Sequence, residues 1–211
     1  MSTKVKICGI TNEEDATWAV NLGAHYLGLN FYKDSPRKVS PDLAARIAKK
    51  VPSFVPTIGV FVDQGPAEIV KIAKKVGLGG IQLHGEQTPD DCRAIAGELE
   101  VLLIKAFRVA EEKDLDPLAA YKDVVGYFLL DTRVEGLAGG TGQTFPWDLA
   151  VRARAFGKPV FLAGGLTPEN VAQAIETAQP FAVDVASGVE KSPKRKDYEK
   201  MKKFIEEVKY A

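Results

Sequence analysis

Val5-Lys6-Ile7-Cys8-Gly9-Ile10-Thr11, near the start of a 211-residue chain, is the stretch on which the fold turns. Its first four residues read as a short strand, and a helical pattern over Glu13–Leu22 follows directly. An open, doubly wound sheet places a glycine-rich turn after its first strand, where it cradles a pyrophosphate. Here that turn is Cys8-Gly9-Ile10-Thr11, with a single glycine. The turn favours a closed barrel over an open sheet.

The same strand-then-helix rhythm repeats to the end of the chain. Further strand-like runs are Tyr26–Phe31, Thr57–Val62, Gly80–His84, Val101–Phe107, Gly126–Asp131, Pro159–Ala163 and Ala182–Val185. Helical patterns lie at Pro41–Lys50, Pro66–Val76, Pro89–Leu99 and Pro168–Thr177, and a last helix spans about Lys196–Lys209. Ser40-Pro41, Thr88-Pro89 and Thr167-Pro168 are start signals, because a hydroxyl caps and proline suits the first turn. Eight alternating units predict an α/β fold, a single (β/α)8 TIM barrel domain over residues 1–211 with parallel strands inside and helices outside.

Composition narrows the function. The chain is 45% hydrophobic, and its 28 basic residues balance 28 acidic ones. Zero net charge offers no field for nucleic acid, so an anionic ligand must be held by a few placed groups. Cys8 and Cys92 show neither metal-ligand nor disulfide spacing, which fits a reducing compartment. Met1-Ser2-Thr3-Lys4 leads into the first strand without a signal-peptide core, and no apolar run nears the roughly 20 residues that span a bilayer. A cytoplasmic protein without membrane contact is expected, as a monomer or a homodimer.

A barrel of this kind carries its active site at the carboxyl ends of its strands. Period two turns Lys6 and Cys8 to one face of the first strand, and the barrel interior is the face left to them. Cys8 is either a small buried hydrophobe or, beside the Lys6 cation, a thiolate able to act as a base. Asp131 ends the sixth strand, as a loop cap or as a carboxyl sheltered enough to hold a proton. An unpaired buried charge is costly, so inward Lys6 is expected to pair with Asp184 on the eighth strand, its neighbour once the barrel closes.

Two glycine turns point to phosphate. Ala163-Gly164-Gly165-Leu166 and Ala186-Ser187-Gly188-Val189 follow strands seven and eight, where many barrels bind a phosphoryl group on backbone N–H groups and a helix start. Gly164, Gly165, Ser187 and Gly188 are therefore candidate ligand contacts. Gly136–Gly142 is a weaker signal, a phosphate cradle or a cover over the site, with Gly140 as its candidate contact. Gln82-Leu83-His84-Gly85 turns Gln82 and His84 inward together. His84 is either a hydrogen-bonded structural histidine or a substrate contact. Arg37, in Ser35-Pro36-Arg37-Lys38, is solvated charge or a planar binder of a carboxylate.

In order along the chain, these segments resemble those of the phosphoribosylanthranilate isomerases of tryptophan biosynthesis. The matching pieces run from Lys6-Ile7-Cys8-Gly9-Ile10-Thr11 through Ser35-Pro36-Arg37, Gly59-Val60-Phe61-Val62, Gln82-Leu83-His84-Gly85, Leu130-Asp131 and Gly139-Gly140-Thr141-Gly142. They end with Leu162-Ala163-Gly164-Gly165-Leu166 and Asp184-Val185-Ala186-Ser187-Gly188-Val189-Glu190. The resemblance implies an Amadori rearrangement of N-(5-phosphoribosyl)anthranilate with no cofactor and no metal. It implies Asp131 as general acid, Cys8 as general base, Arg37 on the anthranilate carboxylate and the two glycine turns on the phosphate. Three positions depart from the family's habit: Pro146 stands where an acidic residue is usual, Ala186 where serine is common, and Lys194 where glycine often follows Pro193.

Rival readings are a metal-dependent sugar-phosphate epimerase, a Schiff-base aldolase and a non-catalytic phosphate binder. His25 and His84 are too few for the first. Lys105 is the lysine positioned for the second, and the pairing of Cys8 with Asp131 speaks against the third.

Overall fold

Apolar runs of three to eight residues lie side by side in chain order, each parallel to the next, and the eighth pairs back onto the first. These are β1 (Lys4–Ile7), β2 (Tyr26–Asn30), β3 (Thr57–Phe61), β4 (Gly80–Leu83), β5 (Leu102–Val109), β6 (Tyr127–Thr132), β7 (Val160–Leu162) and β8 (Ala182–Val185). The computed structural model describes residues 2–132 and 146–211. Gly140 and the rest of the Gly136–Gly142 stretch lie outside the described residues. Closure leaves the barrel's parallel sheet without an edge, which is the (β/α)8 barrel the turn after β1 favours.

Helices α1 (Glu13–Leu22), α2 (Pro41–Lys50), α3 (Pro66–Val76), α4 (Pro89–Glu98), α5 (Leu118–Tyr121), α6 (Asp148–Ala153), α7 (Val171–Ala178) and α8 (Tyr198–Tyr210) follow the strands in turn. Their starts are chemically marked. Asn12 accepts from the N–H of Asp15, Ser40 from that of Leu43, and Thr88 forms a capping box with Asp91. Each such cap is worth about 1 kcal/mol. Between strands and helices lies the larger apolar core, with Ile7, Leu27, Ile47, Leu83, Phe128 and Phe204 fully buried in it.

The barrel interior is a separate, smaller cluster. Ile58, Ile104, Leu129, Phe161 and Ala182 fill it, and Phe161 packs against Tyr26, Tyr127 and Phe181 at ring distances of 5.5–5.7 Å. This aromatic plug occupies the level where β2, β6 and β8 begin. Polar side chains are left for the opposite end, where the strands finish.

Three boundaries and one side-chain direction differ from expectation, each for a local reason. β5 runs on to Val109 rather than ending at Phe107, because it pairs with β6 out to Thr132. Helix α7 begins at Val171, three residues after Pro168. The Asn170 amide accepts from the Thr167 N–H at 2.8 Å and donates to the Gly165 carbonyl at 3.0 Å, holding Thr167–Asn170 as a turn. α8 begins at Tyr198, capped by Asp197, and Lys196 belongs instead to a small hairpin of β9 (Glu190–Ser192) and β10 (Arg195–Lys196). Lys105 has the opposite parity to the interior residues Ile104 and Ala106, so it points away from the barrel axis. It donates to the Gly85 carbonyl at 2.5 Å and lies over the rings of Phe107 and Tyr121. Such a lysine is misplaced for a Schiff base in the barrel's mouth.

Candidate active site

Every inward position at the strand ends contributes to one cavity of about 200 Å³. Its lining includes Cys8 after β1, Asn30 on β2, Gln82 and His84 on and after β4, Arg108 on β5, Asp131 on β6 and Gly164 and Gly165 after β7. Cys8 and Asp131 thus open into the same space from the same end of the barrel. Gly28 sits where any side chain would press on the Cys8 sulfur, and Gly164 where one would press on Asp131 and Thr132. Gly164 and Gly165 both adopt positive φ, 83° and 65°, which favours glycine at both positions.

The expected buried pair is present. Lys6 Nζ donates to both oxygens of Asp184, at 2.9 and 3.0 Å, and Lys6 is 0% exposed. Burial pulls the Lys6 ammonium down, but Asp184 and then Cys8 hold its proton more strongly, and its pKa stands above the ordinary lysine value. At Cys8 the balance goes the other way. Burial pushes the thiol up, and Lys6 and Lys196 pull it down without prevailing. The nearby ammonium does favour the thiolate, as expected, but burial outweighs it and the charge of Asp184 adds to the rise.

Asp131 accepts from the N–H of Thr132 at 2.9 Å, and its second oxygen lies 3.4 Å from His84 Nε2. The imidazole is thus beside the carboxyl group inside the cavity.

Arg37 lines the cavity, is only partly exposed and is already paired. Its Nε and one terminal nitrogen each donate to Glu190 at 2.7 Å. A guanidinium carries five N–H donors, so this fork leaves others for a ligand. Burial alone would lift the Glu190 carboxyl; Arg37 and Lys196 bring it below its usual range. Lys196 is itself buried, donating to the Ala186 carbonyl at 2.9 Å and to Glu190 at 3.2 Å. It thereby ties the turn after β8 to the Arg37 carboxylate partner.

Ser187 lines the cavity, whereas Gly188 does not. Gly188 lies directly against the Leu166 carbonyl, where the turn after β8 crosses the turn after β7. A side chain at Gly188 would collide with that carbonyl, so glycine there permits the close approach of the two turns.

Three residues escaped the sequence reading. Glu190 and Lys196 pair across a hairpin, whereas the sequence pattern predicts Lys196 at a helix start. Arg108 continues the inward series Ile104, Ala106, and the strand was ended one residue before it. Period two carried two residues further would have found it. Among the described residues, no group of three His, Cys, Asp or Glu side chains could hold a metal ion.

Known proteins resemble this chain over nearly its full length. The family model described as N-(5'-phosphoribosyl)anthranilate isomerase matches residues 5–207. The chain is 48% identical over 208 residues to the N-(5'-phosphoribosyl)anthranilate isomerase of Trichlorobacter lovleyi, covering 99% of this chain and 98% of that one. It superimposes on the phosphoribosyl anthranilate isomerase of Thermotoga maritima with a TM-score of 0.92 at 43% identity, covering 99% and 100% of the two chains. A solved phosphoribosyl anthranilate isomerase in complex with reduced 1-(o-carboxyphenylamino)-1-deoxyribulose 5-phosphate matches with a TM-score of 0.88 at 42% identity, over 99% and 100% of the chains.

Proposed function

Because the chain belongs to the N-(5'-phosphoribosyl)anthranilate isomerase family, and so converts N-(5-phosphoribosyl)anthranilate to 1-(2-carboxyphenylamino)-1-deoxyribulose 5-phosphate, we propose which of its side chains carry that Amadori rearrangement. Asp131 is the general acid. It protonates the ribose ring oxygen, the bond from that oxygen to C1 breaks, and the nitrogen lone pair completes a Schiff base. Cys8 is the general base. Its thiolate takes the proton from C2, and the resulting enolamine tautomerises to the ketone. Proton transfers of this kind need no redox group, and each contributes about 10² to 10⁴ in rate.

Binding is divided around the rim. The turns at Gly164-Gly165 and Ser187-Gly188 take the phosphate, and the free N–H groups of Arg37 take the anthranilate carboxylate. His84, beside Asp131, contacts the substrate at the reacting end. Gly140 is a further contact, from outside the described residues. The observation that carries this reading is a thiol and a carboxyl group opening into one cavity from β1 and β6.

Residues 1–211 act as one barrel domain in the cytoplasm. No helix among the described residues is long and apolar enough to cross a membrane. One Thermotoga maritima relative is described as dimeric, and sedimentation of this chain decides between monomer and homodimer.

The test is turnover of freshly prepared N-(5-phosphoribosyl)anthranilate by purified protein in chelator, followed by loss of anthranilate-type fluorescence. Cys8→Ser and Asp131→Asn should each lower kcat by about 10² to 10⁴. Near-normal turnover in both would remove the assigned roles.

A further inference from the structure

Gln82 lies two residues before His84 on the inward face of β4, roughly 6.6 Å deeper by strand geometry. Its strand partners are Val60 and Ile104, both apolar. The side chain lines the cavity and is 3% exposed, yet its amide oxygen has no hydrogen-bond donor among the described residues. A buried amide left unpaired costs as much as a lost hydrogen bond, and leucine or methionine would suit those neighbours better. An unsatisfied polar group kept at such a position calls for a use outside folding.

The chemistry of the group narrows that use. A primary amide both donates and accepts, and so does a hydroxyl. A carboxylate or phosphate calls for cations or backbone N–H groups, and the cavity offers these elsewhere, at Arg37, Arg108 and the two glycine turns. Strands β4 and β8 are four apart in a ring of eight, so Gln82 stands on the wall opposite Asp184. Gln82 thus faces across the same cavity that Cys8, Asp131 and Asp184 line.

We propose that Gln82 is a substrate-binding residue whose amide hydrogen-bonds the secondary hydroxyls of the sugar chain. The inference rests on this cavity being the isomerase's substrate site. Either end of the amide can turn inward, since a half-turn about its last bond exchanges donor and acceptor. The residue thereby selects a hydroxylated chain over a plain one, and it holds C2 at a fixed height relative to the Cys8 sulfur.

The experiment compares two non-reacting ligands by calorimetry. One is the reduced product analogue, with hydroxyls between the anthranilate nitrogen and the phosphate. The other is an N-alkyl anthranilate bearing a plain phosphoalkyl chain of equal length. The wild-type protein should prefer the hydroxylated ligand by about tenfold or more, and Gln82→Met should reduce that preference to within about twofold. Affinity for the plain chain should stay constant, and the melting midpoint should hold or rise, because a buried unsatisfied amide has gone. Gln82→Leu should repeat the result, and kcat/KM on the true substrate should fall about tenfold in both. An unchanged preference would overturn the proposal. So would a lowered midpoint in both variants, which would make Gln82 a core residue. Failure of the wild-type protein to isomerise its substrate would instead remove the functional reading, a result separate from the ligand comparison.

Discussion

Lys6 and Asp184 are Cα partners across the seam between β1 and β8, and the ammonium of one reaches both carboxylate oxygens of the other. The seam that closes the barrel therefore carries an ion pair two residues below the candidate base. Burial lifts the Asp184 carboxyl and Lys6 opposes this, but the two-oxygen contact at 2.9 and 3.0 Å is that of a charged pair.

Removing one partner should be costly. Lys6→Met or Asp184→Asn leaves an uncompensated buried group and should lose about 3–5 kcal/mol in urea unfolding. The double variant Lys6→Met with Asp184→Leu should lose much less than the sum. The folded Lys6 pKa lies above the unfolded one, so this contribution is complete below about pH 10 and fades as pH rises through the folded value. Additive losses would show that the pair is not coupled.

Cys8 should titrate late. Burial outweighs the pull of Lys6 and Lys196, so alkylation of Cys8 by iodoacetamide should accelerate with pH to a midpoint above that of an ordinary cysteine thiol. The rising limb of kcat/KM should follow it, because the base is the thiolate. Cys92 is fully buried and its thiol is pushed up to about 11 by burial against Lys105, so it should stay unmodified in the folded protein. A Cys8 rate already level at neutral pH would contradict the balance of charges around it.

Arg37→Ala should act twice. The Michaelis constant should rise about 10- to 100-fold through loss of the carboxylate contact. Stability should also drop by about 1–3 kcal/mol, because among the described residues Glu190 keeps only Lys196 as a side-chain partner. A raised constant at unchanged stability would mean the Arg37–Glu190 fork holds nothing together.

Gly28→Ala tests how tightly the thiol is placed. The new methyl would stand 2.6 Å from the Cys8 sulfur and 3.0 Å from its Cα, so one of them must move. Turnover should fall about 10- to 100-fold through misplacement alone, with a stability loss of about 1–3 kcal/mol. Unchanged kcat would show that the position of the sulfur is not critical.

Lys194→Gly should stabilise the protein. Lys194 has φ of 73°, a left-handed conformation that favours glycine. Relief of that strain is worth about 1 kcal/mol, read as a higher urea midpoint at unchanged activity. The Thr11 hydroxyl donates to the Lys194 carbonyl at 2.6 Å, a backbone contact that the substitution keeps.

What could be read from the chain alone was local and periodic. Alternation placed the eight strands, their inward faces and hence Lys6, Cys8, Gln82, His84 and Asp131, because side-chain direction in a strand depends only on parity. Closure then made Asp184 the neighbour of Lys6. The tertiary structure alone decided the energies and partners. Arg37 proved to be forked onto Glu190, 153 residues away, and Lys196 left its expected helix to be buried beside that carboxylate. Lys105 turned away from the mouth, and the Cys8 thiol stands higher than a nearby ammonium suggests. Parity is a property of one strand, whereas partners and pKa shifts depend on distances and burial that exist only after the barrel has closed.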